Sequence, residues 1–194
     1  MPEKTLKWKN IYQLKITLIG SKPPIWRRFQ VSDDITLQRL DGIIQIVMGW
    51  ENAHLHQFVI NGEEYGKPDK EFDKEINNEK KFTMGEIIVR EKQRFEYQYD
   101  FGDDWRHDLL VEKIFPAEPD WKHPVVLVGA RACPPEDCGG IWGYMDMLEI
   151  MSNPKHERYD EIMDWTGGEF DPEAFPMDEI NTCLKKSKSP PRLW

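Results

Sequence analysis

Hydrophobic and polar residues alternate in the first part of the chain, which is typical of strands with one buried face. In residues 11–20, IYQLKITLIG, the apolar positions on one face are Tyr12, Leu14, Ile16 and Leu18. Residues 25–31, IWRRFQV, follow the turn residues SKPP and place Ile25, Phe29 and Val31 on one side. The two stretches predict a hairpin.

The apolar period lengthens after Thr36, where apolar residues recur at the helical positions Leu37, Leu40, Ile44, Val47 and Met48. Gly49 stands where a left-handed residue would end a helix, so the pattern predicts a helix over residues 35–48. The following HLHQFVI, residues 54–60, predicts a strand. Hairpin, helix and strand in this order are typical of a ubiquitin-like ββαβ start, although many α+β folds share it.

The rest of the pattern predicts a second hairpin and several helices. Residues 61–81 are rich in charge and turn formers and predict an exposed loop. FEYQYDF and WRHDLLVEKI then pair around GDD, with one face formed by Phe95, Tyr97, Tyr99, Phe101, Trp105, His107, Leu109 and Val111. VVLVG predicts a last strand, and the residues after it predict helices.

These elements predict an α+β fold, with a mixed sheet of two hairpins and two further strands, a crossing helix and a helical C-terminal third. We expect one domain over residues 1–185, followed by a basic Pro/Ser tail over residues 186–194.

Composition narrows the class of protein. The chain has 194 residues, 39% of them hydrophobic, which predicts a globular protein with its own core. The formal charge of −9 argues against a broad nucleic-acid surface, because it repels phosphate groups. No apolar run is long enough for a membrane span, and the first residues lack the pattern of a secretory signal, so we expect a cytoplasmic protein with no membrane partner. Three cysteines disfavour a disulfide framework, and we expect reduced thiols.

The first candidate for chemistry is the pair His54 and His56. In a strand both imidazoles would point to the same side, towards the core. Such a pair can hold a transition metal, but a closed zinc site needs about four ligands. The alternative is a hydrogen-bonded structural pair.

The second candidate is the acidic bend of YDFGDDWRHD. Alternation points His107 inwards, Asp103 and Asp104 lie in the turn, and Asp100 is expected on the opposite face of its strand. An aspartate near a histidine can fix its tautomer or share a metal with it. Alternatively, the aspartates only cap the turn backbone.

The third candidate is RACPPEDCGGIWGY, where adjacent prolines stiffen a loop that carries Glu136 and Asp137. The spacing of Cys133 and Cys138 is wider than in most zinc knuckles, so a zinc site that they share with the two histidines is only weakly supported. Cys133 is also a weak candidate nucleophile, because no base can be placed beside it from the sequence.

These segments, in this order and spacing, resemble the plasmid pRiA4b ORF-3-like family. The matching motifs are IYQLKITLIGSKPPIWRRFQV, HLHQF, YQYDFGDDWRHDLLVEKI, CPPEDCGGIWGY and FDPEAFPMDEIN, within residues 10–185. The resemblance implies a largely uncharacterised family found on plasmids, in mobile elements and on chromosomes. Some of its members have been labelled resolvases, but we find neither a nucleophilic serine among arginines nor a DNA-binding segment here.

Two functions compete on this evidence. The first is a binding or accessory module, in which the acids and histidines form a fixed polar cleft and an unknown protein or small molecule docks nearby. The second is a metal-dependent hydrolase, with a divalent metal such as Zn²⁺ held by candidates among His54, His56, His107 and Asp103. Its candidate catalytic residues are Asp103, His107, Glu136 and Asp137. The sequence favours the binding module.

Overall fold

The computed structural model describes residues 9–68, 76–119 and 121–187. Most of the predicted tail, residues 188–194, therefore lies outside the described residues. The strands are β1 (Asn10–Leu18), β2 (Trp26–Ser32), β3 (His56–Ile60), β4 (Glu63–Gly66), β5 (Asn77–Asn78), β6 (Arg94–Tyr99), β7 (Trp105–Pro116) and β8 (Val125–Ala130). The helices are α1 (Leu37–Met48), α2 (Met84–Ile87), α3 (Gly140–Ser152), α4 (Tyr159–Trp165) and α5 (Met177–Lys186).

The strands form one mixed sheet in the order β5-β4-β3-β6-β7-β1-β2-β8. All neighbouring pairs are antiparallel except β4 and β5, which are parallel. The predicted mixed α+β class is confirmed. The element order ββαβ is present at the start of the chain, but β6 and β7 lie between β1 and β3 in the sheet, and the finer likeness to ubiquitin stays a prediction.

The first hairpin and the helix carry the core that the alternation predicts. The apolar face of β1 is buried, with Leu14 and Ile16 fully so. The hydroxyl of Thr36 accepts a hydrogen bond from the backbone N–H of Arg39 at 3.2 Å and begins α1. Gly49, at φ 105°, ends it in the left-handed conformation.

One polar residue lies where the pattern predicted only apolar neighbours. Arg27 is 1% exposed, on the same face of β2 as Phe29. Its guanidinium donates to the carbonyl oxygens of Val47, Trp26 and Ala130 and lies over the ring of Phe175. Burial lowers the pKa of Arg27 to about 10.

The prediction of one exposed loop over residues 61–81 is wrong. Asn61 and Gly62, at φ 54° and 86°, form a tight turn, and β4 then pairs with β3. The core covers Tyr65 of β4 and also Glu79, which is 2% exposed. Residues 69–75 of the predicted loop lie outside the described residues. The Asn-Gly pair is a turn signal, but the many charged residues around it favoured the prediction of a single loop.

The described residues contain no helix that is both long and apolar enough to cross a membrane.

Candidate functional site

The site begins where β6 ends. Asp100, the first residue after the strand, has φ 56°, a left-handed conformation that aspartate tolerates better than most residues. Its Oδ1 accepts a hydrogen bond from the N–H of Gly102 at 2.9 Å, so the carboxylate caps the turn. The reversal buries Asp100, which is 7% exposed, and exposes half of Phe101. The predictions that Asp100 lies on the opposite face and that Phe101 joins the core face are therefore wrong.

The second part of the site is the loop between β8 and α3. Asp137, at φ 57°, turns this loop, and Gly139 and Gly140 follow at φ 88° and 67°. The N–H of Gly139 donates to Oδ2 of Asp103 at 3.2 Å, which ties the loop to the acidic turn. A Cβ atom on Gly140 would lie 2.4 Å from the carbonyl oxygen of Asp103, so only glycine permits this approach.

The third part is the segment between α1 and β3, residues 50–54. Glu51 donates its N–H to Oε1 of Glu136 at 2.7 Å, and Ala53 donates its N–H to the hydroxyl of Tyr99 at 3.0 Å. The same Tyr99 hydroxyl lies 2.9 and 3.0 Å from the two carboxylate oxygens of Glu136. Burial, followed by the contact with Glu136, raises the pKa of Tyr99. These bonds fix the backbone just before His54.

His54 is the point where the three parts meet. Its Nε2 atom lies 3.3 Å from Oε2 of Glu136, 3.4 Å from Oδ1 of Asp137 and 3.8 Å from Oδ2 of Asp100. Nε2 is inaccessible to solvent, and no hydrogen bond of good geometry satisfies it within the described residues. The Asp100 side chain is 10% exposed, whereas that of Asp137 is 74% exposed. The cluster is therefore buried on one side and open on the other.

The distances from His54 Nε2 to Asp137 and Asp100, 3.4 and 3.8 Å, fall in the range found between ligands of one metal ion. His54, Asp100 and Asp137 each offer one ligand atom, and the three atoms lie within 4.8 Å of one another. With metal–ligand bonds of roughly 2.0–2.2 Å, neighbouring ligand atoms lie about 3.0–3.4 Å apart and opposite ones about 4.2 Å apart. One imidazole with two or three carboxylates suits a divalent ion such as Zn²⁺ or Mn²⁺.

The other predicted metal ligands lie in different surroundings. His56 does not point with His54, because β3 begins only at His56. His56 contacts Glu79 through Nε2 at 2.6 Å and Asp41 through Nδ1 at 3.3 Å, and all three side chains are buried. Burial alone would lower the pKa of His56, but the bond to Glu79 and the charge of Asp41 outweigh it and raise the pKa. The expectation that the two imidazoles share a side is therefore wrong.

His107 points inwards as predicted and is 0% exposed. Its Nδ1 donates to the carbonyl oxygen of Tyr97 at 3.2 Å, and its ring packs against Trp50. Burial lowers the pKa of His107 to about 4, so the ring is neutral at pH 7. Asp103 holds the turn to the loop at Gly139. The structure thus brings His54, Glu136 and Asp137 together, supports them through Asp103, and leaves His56 and His107 in the core.

Among the described residues, the group of possible ligand atoms around His54 contains no cysteine sulfur. Burial raises the pKa of Cys133 well above its usual range and raises that of Cys138 to about 12. Both side chains are therefore protonated thiols at neutral pH, which is unfavourable for a nucleophile.

Sequence reasoning placed Asp100 on the wrong face of its strand and missed Tyr99 as part of the site. Alternation assigned Tyr99 to the core, which is correct for its ring, but the hydroxyl at the end of that ring reaches Glu136. The signal for Asp100 was present, because an aspartate directly before Phe-Gly at a strand end is a common left-handed position.

The chain as a whole is similar to other proteins. An uncharacterised protein, y4hQ, of Sinorhizobium fredii (strain NBRC 101917 / NGR234) is 36% identical over 177 residues, 90% of this chain and 91% of that protein. The crystal structure of a protein of unknown function, MM3350, from Methanosarcina mazei Go1 matches with a TM-score of 0.82 and 35% identity, over 89% of this chain and 98% of that one. The family model described as plasmid pRiA4b ORF-3-like protein matches residues 10–179. This chain therefore belongs to the plasmid pRiA4b ORF-3-like family.

Proposed function

We propose that this protein is a binding module whose polar cleft holds one divalent cation, with His54, Asp100 and Asp137 as ligands and Glu136 beside them. The observation that carries the proposal is the position of His54 Nε2, which faces three carboxylates at 3.3–3.8 Å and has no other polar partner among the described residues. A bound cation would relieve the repulsion among these carboxylates.

The cation would have a structural consequence in this proposal. Its ligands come from the segment before β3, the turn after β6 and the loop before α3, which are distant in the sequence. A cation that binds only the folded chain stabilises it by an amount that grows with the logarithm of the cation concentration relative to Kd. We infer that the module presents a fixed surface to its partner only when the three segments are held together.

The test is direct metal binding. Purified protein, stripped with a chelator, is titrated with Mn²⁺ and separately with Zn²⁺ by isothermal calorimetry, and His54→Ala, Asp137→Asn and the control His123→Ala are compared. We expect one site per chain, weakened by more than about tenfold in the first two variants and unchanged in the control. A protein that binds neither ion, or binds both equally well without His54, contradicts the proposal.

A metal-dependent hydrolase is the second candidate, favoured by a cavity of about 330 Å³ beside the cluster. Its lining includes Glu51, Pro135, Glu136 and Trp165, so a small molecule in this cavity would meet the cluster at Glu136. Against it, Glu136 already accepts hydrogen bonds from Tyr99 and Glu51, which leaves it poorly placed as a general base. Turnover of ester or phosphoester model substrates by the Mn²⁺ or Zn²⁺ form, lost in Asp137→Asn, would favour the hydrolase. Binding without turnover favours the module.

A further inference from the structure

A chain of buried hydrogen bonds leads from the core to the segment that carries His54. The hydroxyl of Tyr97 donates to Oδ1 of Asp41 at 2.7 Å and accepts from Nε2 of Gln45 at 2.7 Å. The other end of the same amide, Oε1 of Gln45, accepts the backbone N–H of Asn52 at 2.9 Å. Gln45 and Tyr97 are both 0% exposed, so water does not compete for these bonds.

At its buried end, this series of hydrogen bonds begins at Asp41, which belongs to a cluster of charged side chains. Asp41 also contacts His56, and His56 in turn contacts Glu79, all three within the core. The Asp41 carboxylate therefore has a fixed position, and it orients the Tyr97 hydroxyl. That hydroxyl leaves Gln45 only one good amide orientation, in which Oε1 faces Asn52.

At its other end, the series of hydrogen bonds holds the irregular backbone segment before His54. Residues 50–54 belong to no helix or strand, and Asn52 has a left-handed φ of 58°. The backbone carbonyl of Gln45 accepts the N–H of Trp50 at 2.9 Å, and its side chain accepts that of Asn52. Gln45 thus holds Trp50 and Asn52, which lie four and two residues before His54.

We infer that Gln45 and Tyr97 are positioning residues of the cation site: through Asn52 they set the direction in which His54 meets Asp100 and Asp137. The inference rests on the proposed function and adds to it the buried residues that act through His54. Neither residue contacts the cluster directly, since Gln45 acts on the backbone of Asn52 and Tyr97 acts on Gln45.

The test compares two buried tyrosine hydroxyls. Tyr97→Phe removes the bridge between Asp41 and Gln45, whereas the control Tyr12→Phe removes a buried hydroxyl that donates to the carbonyl oxygen of Ile88 at 2.7 Å. Both changes are expected to lower the melting temperature. Only Tyr97→Phe is expected to weaken Mn²⁺ binding, by about tenfold, the range seen when groups behind metal ligands are removed. Equal Mn²⁺ affinities in the two variants overturn the inference.

A second measurement needs no metal. Hydrogen exchange of the Asn52 amide should be slow in the wild-type protein and at least tenfold faster in Tyr97→Phe and in Gln45→Met, with no such change in Tyr12→Phe. Unchanged exchange at Asn52 overturns the inference, and Gln45→Met serves if Tyr97→Phe does not fold. If the wild type binds neither Mn²⁺ nor Zn²⁺, the proposed function fails, while the exchange result still decides whether Gln45 and Tyr97 hold this segment.

Discussion

At the scale of single residues, the core contains polar groups whose protonation is fixed by burial. His107 has no exposed surface, and its neutral ring donates once, to Tyr97. Its Nε2 atom has no hydrogen-bond partner among the described residues. Protonation of this ring would place a charge next to Trp50 and Tyr97 in an apolar environment.

We predict that His107 makes the fold sensitive to acid. Its pKa falls from the ordinary 6.5 to about 4, so between these values the unfolded chain binds a proton that the folded chain does not. Stability is therefore lost as the pH falls from about 6.5 to 4, by on the order of 3 kcal/mol. Urea unfolding at pH 7, 5.5 and 4.5 should show that the free energy of unfolding falls less with pH in His107→Leu than in the wild type. The control His123→Ala should keep the wild-type loss, and an unchanged pH dependence in His107→Leu would contradict the assignment.

At the scale of the elements, the sequence predicts the strands and helices whose buried residues recur at a regular spacing. The hairpin of β1 and β2, the helix α1 and the hairpin of β6 and β7 follow from periodic burial, and each is present. The site depends instead on residues that leave the regular pattern, such as Asp100 and Asp137 with their positive φ values. A backbone reversal at one residue redirects a side chain, and periodicity carries no information about it.

The contact between the acidic turn and the loop before α3 leads to a second prediction. In Gly140→Ala the new Cβ atom would overlap the carbonyl oxygen of Asp103, so the turn and the loop must separate. Gly167→Ala is the matched control, because Gly167 has the same φ of 67° but no atom within 4 Å of an added Cβ. Both variants bear the cost of a left-handed alanine, roughly 1–2 kcal/mol. We expect Gly140→Ala alone to lose a further 1–3 kcal/mol, roughly, and to weaken Mn²⁺ binding.

The measurements are chemical denaturation and Mn²⁺ titration of both glycine variants. Equal losses of stability in the two variants would mean that the turn and the loop can move apart without cost. In that case the close approach of Asp103 to Gly140 does not hold Asp100 and Asp137 together.

At the scale of the whole molecule, the sheet formed by the described residues has two edges, β5 and β8, and α5 lies along β8. Asn181 of α5 donates to the carbonyl oxygen of Val126 at 3.0 Å and accepts its N–H at 2.8 Å. One side chain thus satisfies both backbone groups of a strand residue, as a neighbouring strand would. An edge that is covered in this way is protected from pairing with another molecule.

We predict that Asn181→Leu uncovers this edge. Two backbone groups of Val126, which is 2% exposed, lose their partner, and each unsatisfied group costs about 1–3 kcal/mol. Urea denaturation should show the loss, and light scattering coupled to size exclusion should show concentration-dependent self-association. Thr182→Val, at the next residue of α5, removes only a hydrogen bond to the carbonyl oxygen of Asp178 within the helix. This control should therefore neither lower the stability nor cause self-association. A monomeric, equally stable Asn181→Leu would mean that the packing of Leu184 and its apolar neighbours, rather than the amide, keeps α5 on the sheet.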